Sequence, residues 1–266
     1  MEIIDVHVHA LPRGDMCGGE RDARLETLLA ALETNGIGRA CLMPINDLSW
    51  QPVREMNDFS VQAVKDHPQL VGFIDLDLSP VHYTGGIAAL EADIVHRWEQ
   101  GRRGIKVHPQ NLGLDADDWR LLPVYRLAGE IDLPVMIHCY PGSPPGRMEN
   151  SHPRHIEKVV RIFHKTTFVI AHLGGRAWFP LMPGLVHEHV YFDTSGVLKE
   201  LRAFYRGEQL RSVLREIGYD HIVFGSDFPE EIAGQLALLR EIIPVEYHEA
   251  VLSGNISRVG GQHGWW

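Results

Sequence analysis

Eight short apolar runs, each followed by a longer amphipathic segment, constrain this chain more than any other feature. The runs are residues 3–9, 40–45, 70–78, 104–107, 134–139, 167–172, 190–194 and 222–224. Their length and patterning predict buried strands. The segments between them predict helices over residues 23–35, around 53–66, 86–100 and 119–131, from about 153, and over 208–217 and 230–243. Gly36 and Gly101 stand where two of these helices should stop. After the sixth run, Gly174-Gly175 leads into a helix broken by Pro180 and Pro183. Strands alternating with helices imply parallel pairing, and right-handed crossovers leave few topologies. Eight such units in about 250 residues point to a closed (β/α)8 barrel. A doubly wound open sheet fits less well, because no Gly-x-Gly-x-x-Gly turn follows the first run. We expect an α/β fold with one domain over residues 1–266, extended from about residue 244 by a short helix at 248–252. Trp265 and Trp266 would waste apolar area in water, so they should pack on the barrel or on a partner subunit of a homo-oligomer.

With 44% hydrophobic and 23% charged residues, the chain has apolar material for a full core. Its 25 Lys and Arg against 35 Asp and Glu leave a net charge of −10, and no basic cluster interrupts that excess. Nucleic acid and anionic membrane surfaces are therefore excluded as expected partners, leaving small molecules. The three cysteines, Cys17, Cys41 and Cys139, are widely spaced and form no CxxC pair, which argues for a reducing compartment. No charged and apolar leader pattern opens the sequence, and no apolar run reaches 18 residues, so the expected location is cytoplasmic.

The 16 histidines are the compositional oddity, and several fall at strand ends. In a parallel barrel, functional side chains gather at the C-terminal ends of the strands. Here those ends carry His7 and His9, Asp75 and Asp77, Lys106 and His108, His138, His172, Asp193 or Ser195, and Asp227. Side chains two apart on a strand share a face, so His7 and His9 should project together. Buried charges are costly unless they are paired or bound to metal. Several imidazoles and a carboxylate, with no thiolate set, suit one divalent ion: Zn2+ first, with Mn2+, Fe2+ or Co2+ as alternatives.

The chain resembles the amidohydrolase superfamily, and within it the amidohydrolase-related branch that contains aminocarboxymuconate-semialdehyde and resorcylate decarboxylases. The resemblance is carried by His7-Val8-His9-Ala10-Leu11-Pro12, Gly104-Ile105-Lys106-Val107-His108-Pro109 and Val135-Met136-Ile137-His138. It continues through Val169-Ile170-Ala171-His172-Leu173-Gly174-Gly175, Tyr191-Phe192-Asp193-Thr194-Ser195, Phe224-Gly225-Ser226-Asp227-Phe228-Pro229 and Gly254-Asn255, in family order. It implies a distorted TIM barrel of the metal-dependent hydrolase type holding one catalytic ion. Carried over by position, it makes His7, His9, His138 and Asp227 metal ligands and gives Asp227 and His172 the acid/base work. Lys106 matches the lysine that bridges two metals in binuclear relatives. The motif otherwise follows the mononuclear branch, so Lys106 is expected to pair with an inward carboxylate or with substrate.

His108 should line the pocket beside Lys106. Asp75 and Asp77 are expected to partner Lys106 or the ligand histidines. The Pro- and Gly-rich loop at 140–153 could cover the pocket, with Arg147 as a carboxylate clamp and His152 nearby; Arg176 is a similar candidate. The expected chemistry is hydrolysis of an amide, lactone or related ester bond in a small carboxylate-bearing molecule. The ion would lower the pKa of water from about 15.7 to near 7. The alternatives are non-oxidative decarboxylation of an unsaturated or aromatic acid, and a barrel that binds without turnover.

Overall fold

A strand pairs on both sides only if its neighbours also continue the ladder, and in this chain the ladder closes on itself. The computed structural model describes residues 2–16, 21–46, 52–82, 85–142 and 147–265. The barrel strands are β1 (Ile3–Val8), β2 (Ile37–Leu42), β3 (Leu70–Gly72), β4 (Ile105–Val107), β5 (Val135–Ile137), β6 (Phe168–Ile170), β7 (Val190–Asp193) and β8 (Ile222–Val223). β1–β2–β3 pair in parallel, as do β4 through β8 in sequence order. Two joints close the ring. Ile74 bridges Ile105, and Val8 bridges Phe228, supported by Val6 N donating to Phe224 O at 2.9 Å. The result is the expected (β/α)8 TIM barrel.

The helices between the strands are α1 (Leu25–Thr34), α2 (Val53–Asp66), α3 (Gly86–Glu99), α4 (Leu122–Glu130), α5 (Pro153–Ile162), α6 (Leu198–Phe204), α7 (Gly207–Ile217) and α8 (Ile232–Ile242). α6 lies outside the predicted segments. The stretch after β6 is one α-turn, Gly175–Trp178, followed by the 3-10 segment Phe179–Leu185. Pro180 and Pro183 lack the N–H groups a regular helix needs. A two-residue ladder pairs Asp15–Met16 with Arg21–Asp22 after β1.

The third predicted strand is cut short for a visible reason. Asn57 of α2 donates to Asp75 O at 2.9 Å and accepts from Asp75 N at 3.1 Å. Those backbone groups are therefore unavailable to a neighbouring strand.

Alternation along the strands turns Ile4, Val6, Cys41, Val71, Phe73, Met136, Val169 and Val223 into one inner cluster, while a larger layer packs the strands against the helices. The expected helix at 248–252 is instead a 3-10 turn, Val245–Tyr247, and a π-turn, Ala250–Gly254, running into α9 (Asn255–Gln262). α9 contributes Ile256 and Val259 to the inner cluster. Trp265 joins them, its ring meeting Phe73 edge-on at 5.7 Å, so the chain's own barrel covers it. Trp266 lies outside the described residues.

Candidate metal centre

The site begins with an irregularity in β1. Its register with β2 shifts between Asp5 and Val8, and the Asp5 carboxylate accepts His7 N at 3.1 Å and Ser226 N at 3.0 Å. A side chain thus replaces a strand as the partner of that amide, and irregularities of this kind re-aim neighbouring side chains. His7 and His9 both end in one cavity of about 490 Å³, together with Lys106, His108, His138, His172, Ser195 and Asp227. Asp227 follows β8 in the left-handed region at φ 65°, its amide donating to His7 O at 2.9 Å. His172 follows β6 at φ 63°.

Hydrogen bonds decide where the ring protons sit. His7 Nδ1 lies 2.8 Å from the Asp193 carboxylate and His9 Nδ1 lies 2.9 Å from Met43 O. A carboxylate and a carbonyl only accept, so both nitrogens carry hydrogen and both Nε2 atoms offer lone pairs. Those lone pairs face Asp227 Oδ1 at 3.7 Å and 3.4 Å. The three ligand atoms lie within 4.8 Å of one another. Converging acceptors call for a cation among them: the Lys106 ammonium reaches His7 Nε2 at 3.0 Å, and the set also suits a metal ion.

The same reasoning runs through His172. Its Nδ1 lies 2.9 Å from Ser195 O and therefore donates, which leaves Nε2 to accept from His138 Nδ1 at 2.9 Å. His138 Nε2 is then a lone pair, buried and without a hydrogen-bond partner among the described residues. His138 lines the same cavity but is not one of the three residues whose ligand atoms lie within 4.8 Å of one another. This donor set of imidazoles and one carboxylate fits a divalent ion.

Electrostatics agree. Burial, with the Lys106 ammonium nearby, pulls His7 down to about 3, so its ring stays neutral. Burial and neighbouring cations hold His108 and His138 well below the ordinary imidazole range. Burial alone would raise Asp227, but the imidazoles around it hold it well below the usual carboxylate range. Asp193 is likewise held low by His7, against its burial. Burial lowers Lys106 to about 8, and its Nζ donates to His7 Nε2 at 3.0 Å.

Other expected residues lie elsewhere. Neither Asp75 nor Asp77 partners Lys106 or a ligand histidine. Asp75 accepts from Asn46, and Asp77 accepts Ser79 N at 2.9 Å. Arg147 is exposed and does not line the cavity. His152 caps α5 by accepting Arg154 N at 3.2 Å, and Arg176 lies over the Phe204 ring at 4.9 Å. The cavity mouth instead holds Arg21, paired with Glu230 at 2.7 Å, and a wall of Ile45, Asn111 and Tyr140. The sequence reading missed these. Arg21 depends on a hairpin too short to leave a periodic signal, and Asn111 lies on a one-turn helix, Pro109–Leu112.

Comparison with known proteins shows the family and the fold. The amidohydrolase family model matches residues 4–259. No curated protein matches the sequence. Among solved structures, an uncharacterised TIM-barrel protein from Bordetella bronchiseptica superimposes with a TM-score of 0.79 at 17% identity, covering 99% of this chain and 100% of that one. A 5-carboxyvanillate decarboxylase from Novosphingobium aromaticivorans, complexed with manganese and 4-hydroxy-3-methoxy-5-nitrobenzoic acid, gives 0.69 at 15% identity, covering 97% and 95%. The 4-oxalomesaconate hydratase of Rhodopseudomonas palustris gives 0.69 at 16% identity, covering 98% and 96%. Among the described residues, no helix is long and apolar enough to cross a membrane. With the family pattern running from the first strand into α9, the chain belongs to the amidohydrolase family.

Proposed function

We propose that this chain is a metal-dependent hydrolase that cleaves an amide, lactone or related ester bond in a small carboxylate-bearing molecule. The observation that carries the reading is the convergence of the His7 Nε2, His9 Nε2 and Asp227 Oδ1 lone pairs in one cavity. His7, His9, His138 and Asp227 would hold one divalent ion, zinc by donor preference with manganese as an alternative. Lewis acidity that makes water nucleophilic near neutral pH is what such an ion supplies when bound.

The chain's own groups do the rest. Asp227 is ionised and about a quarter of its side chain reaches solvent, so it can take a proton from the attacking water. His172, oriented by Ser195 and Asp193, would receive that proton at Nε2 and return it to the leaving group. Lys106 offers a buried ammonium to the substrate's carboxylate. The free thiols of Cys41 and Cys139 are buried, which suits a reducing, cytoplasmic setting.

Decarboxylation is the second reading, favoured by the fold shared with the 5-carboxyvanillate decarboxylase. A buried ammonium stabilises a carboxylate ground state and so opposes loss of CO2, which supports hydrolysis. The test is metal analysis followed by a panel of small lactones, amides and aromatic carboxylates, with His172→Ala as control. Hydrolysis that is lost in the control supports the proposal. CO2 release overturns it in favour of the second reading, and bound metal without turnover makes the chain a binding protein.

A further inference from the structure

His108 is fixed on three sides. Its backbone amide donates to Asn46 Oδ1 at 2.8 Å, and Asn46 in turn donates to the buried Asp75 carboxyl. Its ring stacks on His138 with centroids 3.6 Å apart and planes 17° from parallel. Its Nδ1 accepts the Asn111 amide at 3.2 Å. An imidazole that accepts at Nδ1 carries its hydrogen on Nε2 when neutral. That Nε2 bonds to nothing among the described residues, yet it is not one of the sealed polar atoms, and His108 lines the cavity. Asn46 is fully buried and sits at φ 53°, in the left-handed region that asparagine enters more readily than most residues. Its carboxamide is held between the Asp75 carboxyl and the His108 amide, which fixes the backbone of His108.

We propose that His108 is a specificity-determining residue: its Nε2–H is a fixed donor that recognises an acceptor oxygen of the substrate, with Asn46 as its positioning residue. This deepens, and rests on, the reading of the cavity as the place where a carboxylate-bearing molecule binds. A neutral donor recognises an oxygen without adding charge beside Lys106, so the two residues divide the work. Lys106 neutralises the anion and His108 selects where an acceptor must lie. A site built to donate one hydrogen bond discriminates against a ligand lacking the acceptor, because its own polar group is then left unpaired.

The test uses the zinc-loaded chain of residues 1–266 with benzoate, a plain carboxylate, as probe. Nitrogen-15 spectra of histidine-labelled protein at pH 7 should show His108 with hydrogen on Nε2 and none on Nδ1, and that signal should move as benzoate is added. His108→Gln, which keeps an N–H at the same reach, should bind benzoate within about three-fold of the parent. His108→Phe, which keeps the ring, and His108→Asn, whose amide falls short, should bind about ten-fold or more weakly at equal zinc content. Asn46→Ala should displace the His108 nitrogen signals and weaken benzoate binding while zinc content holds. A hydrogen on Nδ1, or equal affinity in the Gln, Phe and Asn variants, overturns the proposal. Unmoved His108 signals in Asn46→Ala overturn the positioning role. If the substrate panel shows no hydrolysis while this affinity pattern holds, only the reaction is wrong; hydrolysis without the pattern sinks His108 alone.

Discussion

His138 Nδ1 and His172 Nε2 lie 2.9 Å apart, and only one of the two nitrogens can carry the hydrogen between them. Because Ser195 O requires a donor at His172 Nδ1, that hydrogen belongs to His138 in the neutral pair. The arrangement turns the lone pair of His138 Nε2 outward from the pair and makes His172 its supporting partner. Removing either ring therefore has a different signature. His138→Ala should lower zinc content at a fixed free-metal concentration, measured by chelator competition and elemental analysis. His172→Ala should lose about 100-fold or more in kcat and lose less zinc than His138→Ala does. Equal zinc loss in both variants would contradict the division of roles.

The Asp193 carboxylate reaches His7 Nδ1 at 2.8 Å and also accepts the amides of His172 and Ser195 at 2.8 and 3.0 Å. It thus sets the tautomer of one proposed ligand and the backbone of the proposed acid/base histidine. Asp193→Asn can keep some of these bonds but loses the charge that fixes the His7 proton. Metal affinity or activity should fall about 10- to 100-fold, as for other partners of metal-bound imidazoles. Chelator competition reads the effect directly.

Asp75 gives a pH signature separate from the metal. Its side chain is buried against Asn46, and burial pushes its carboxyl up from 3.8 to about 7, offset only in part by the Asn46 hydrogen bond. A raised acid pKa means that the folded chain binds this proton more tightly than the unfolded chain. The stability contributed is full below about pH 4 and is lost as pH rises towards 7. At about 1.4 kcal/mol per pKa unit, the effect is on the order of 4 kcal/mol. Urea melts at pH 4.5 to 8 should show a stability difference between the parent and Asp75→Asn that changes across this window and levels off above it. A pH-independent difference would show that the carboxyl is not protonated in the folded chain.

Much of this was legible in the sequence for a simple reason. His7, His9, Lys106, His138 and Asp227 are polar interruptions at the ends of apolar runs, and strand alternation places such residues without knowledge of distant contacts. The eight strands were legible for the same reason. Asn46 was not, because its role comes from a left-handed backbone and a partner, Asp75, on another strand end. The pairing of Asp75 with Asn46 rather than Lys106 needed the same long-range knowledge. α9 was missed because Gly260 and Gly261 lower its helix propensity, while burial of Ile256 and Val259 beneath the barrel overrides it. Trp265 was expected to find cover, and its own barrel supplies it. Trp265→Ala should therefore cost about 3–5 kcal/mol in urea melts without changing zinc content.

Gly196 joins backbone conformation to the metal centre. It sits at φ +64°, and a Cβ there would lie 2.8 Å from Asp227 Oδ2. Gly196→Ala meets two costs at once. The left-handed backbone costs an alanine about 1–2 kcal/mol, and the added methyl presses on the carboxylate proposed as both ligand and base. Asp227 is itself held at φ 65° with its amide on His7 O, so it has little freedom to retreat. The expected result is a modest loss in melting temperature together with a larger loss of zinc affinity and of kcat. Gly184→Ala is the control, because nothing lies within 4 Å of a Cβ there and its φ is ordinary. That variant should leave zinc binding and turnover unchanged. If Gly196→Ala lowers stability but leaves zinc affinity and kcat at the control's values, Asp227 is not acting where the geometry puts it.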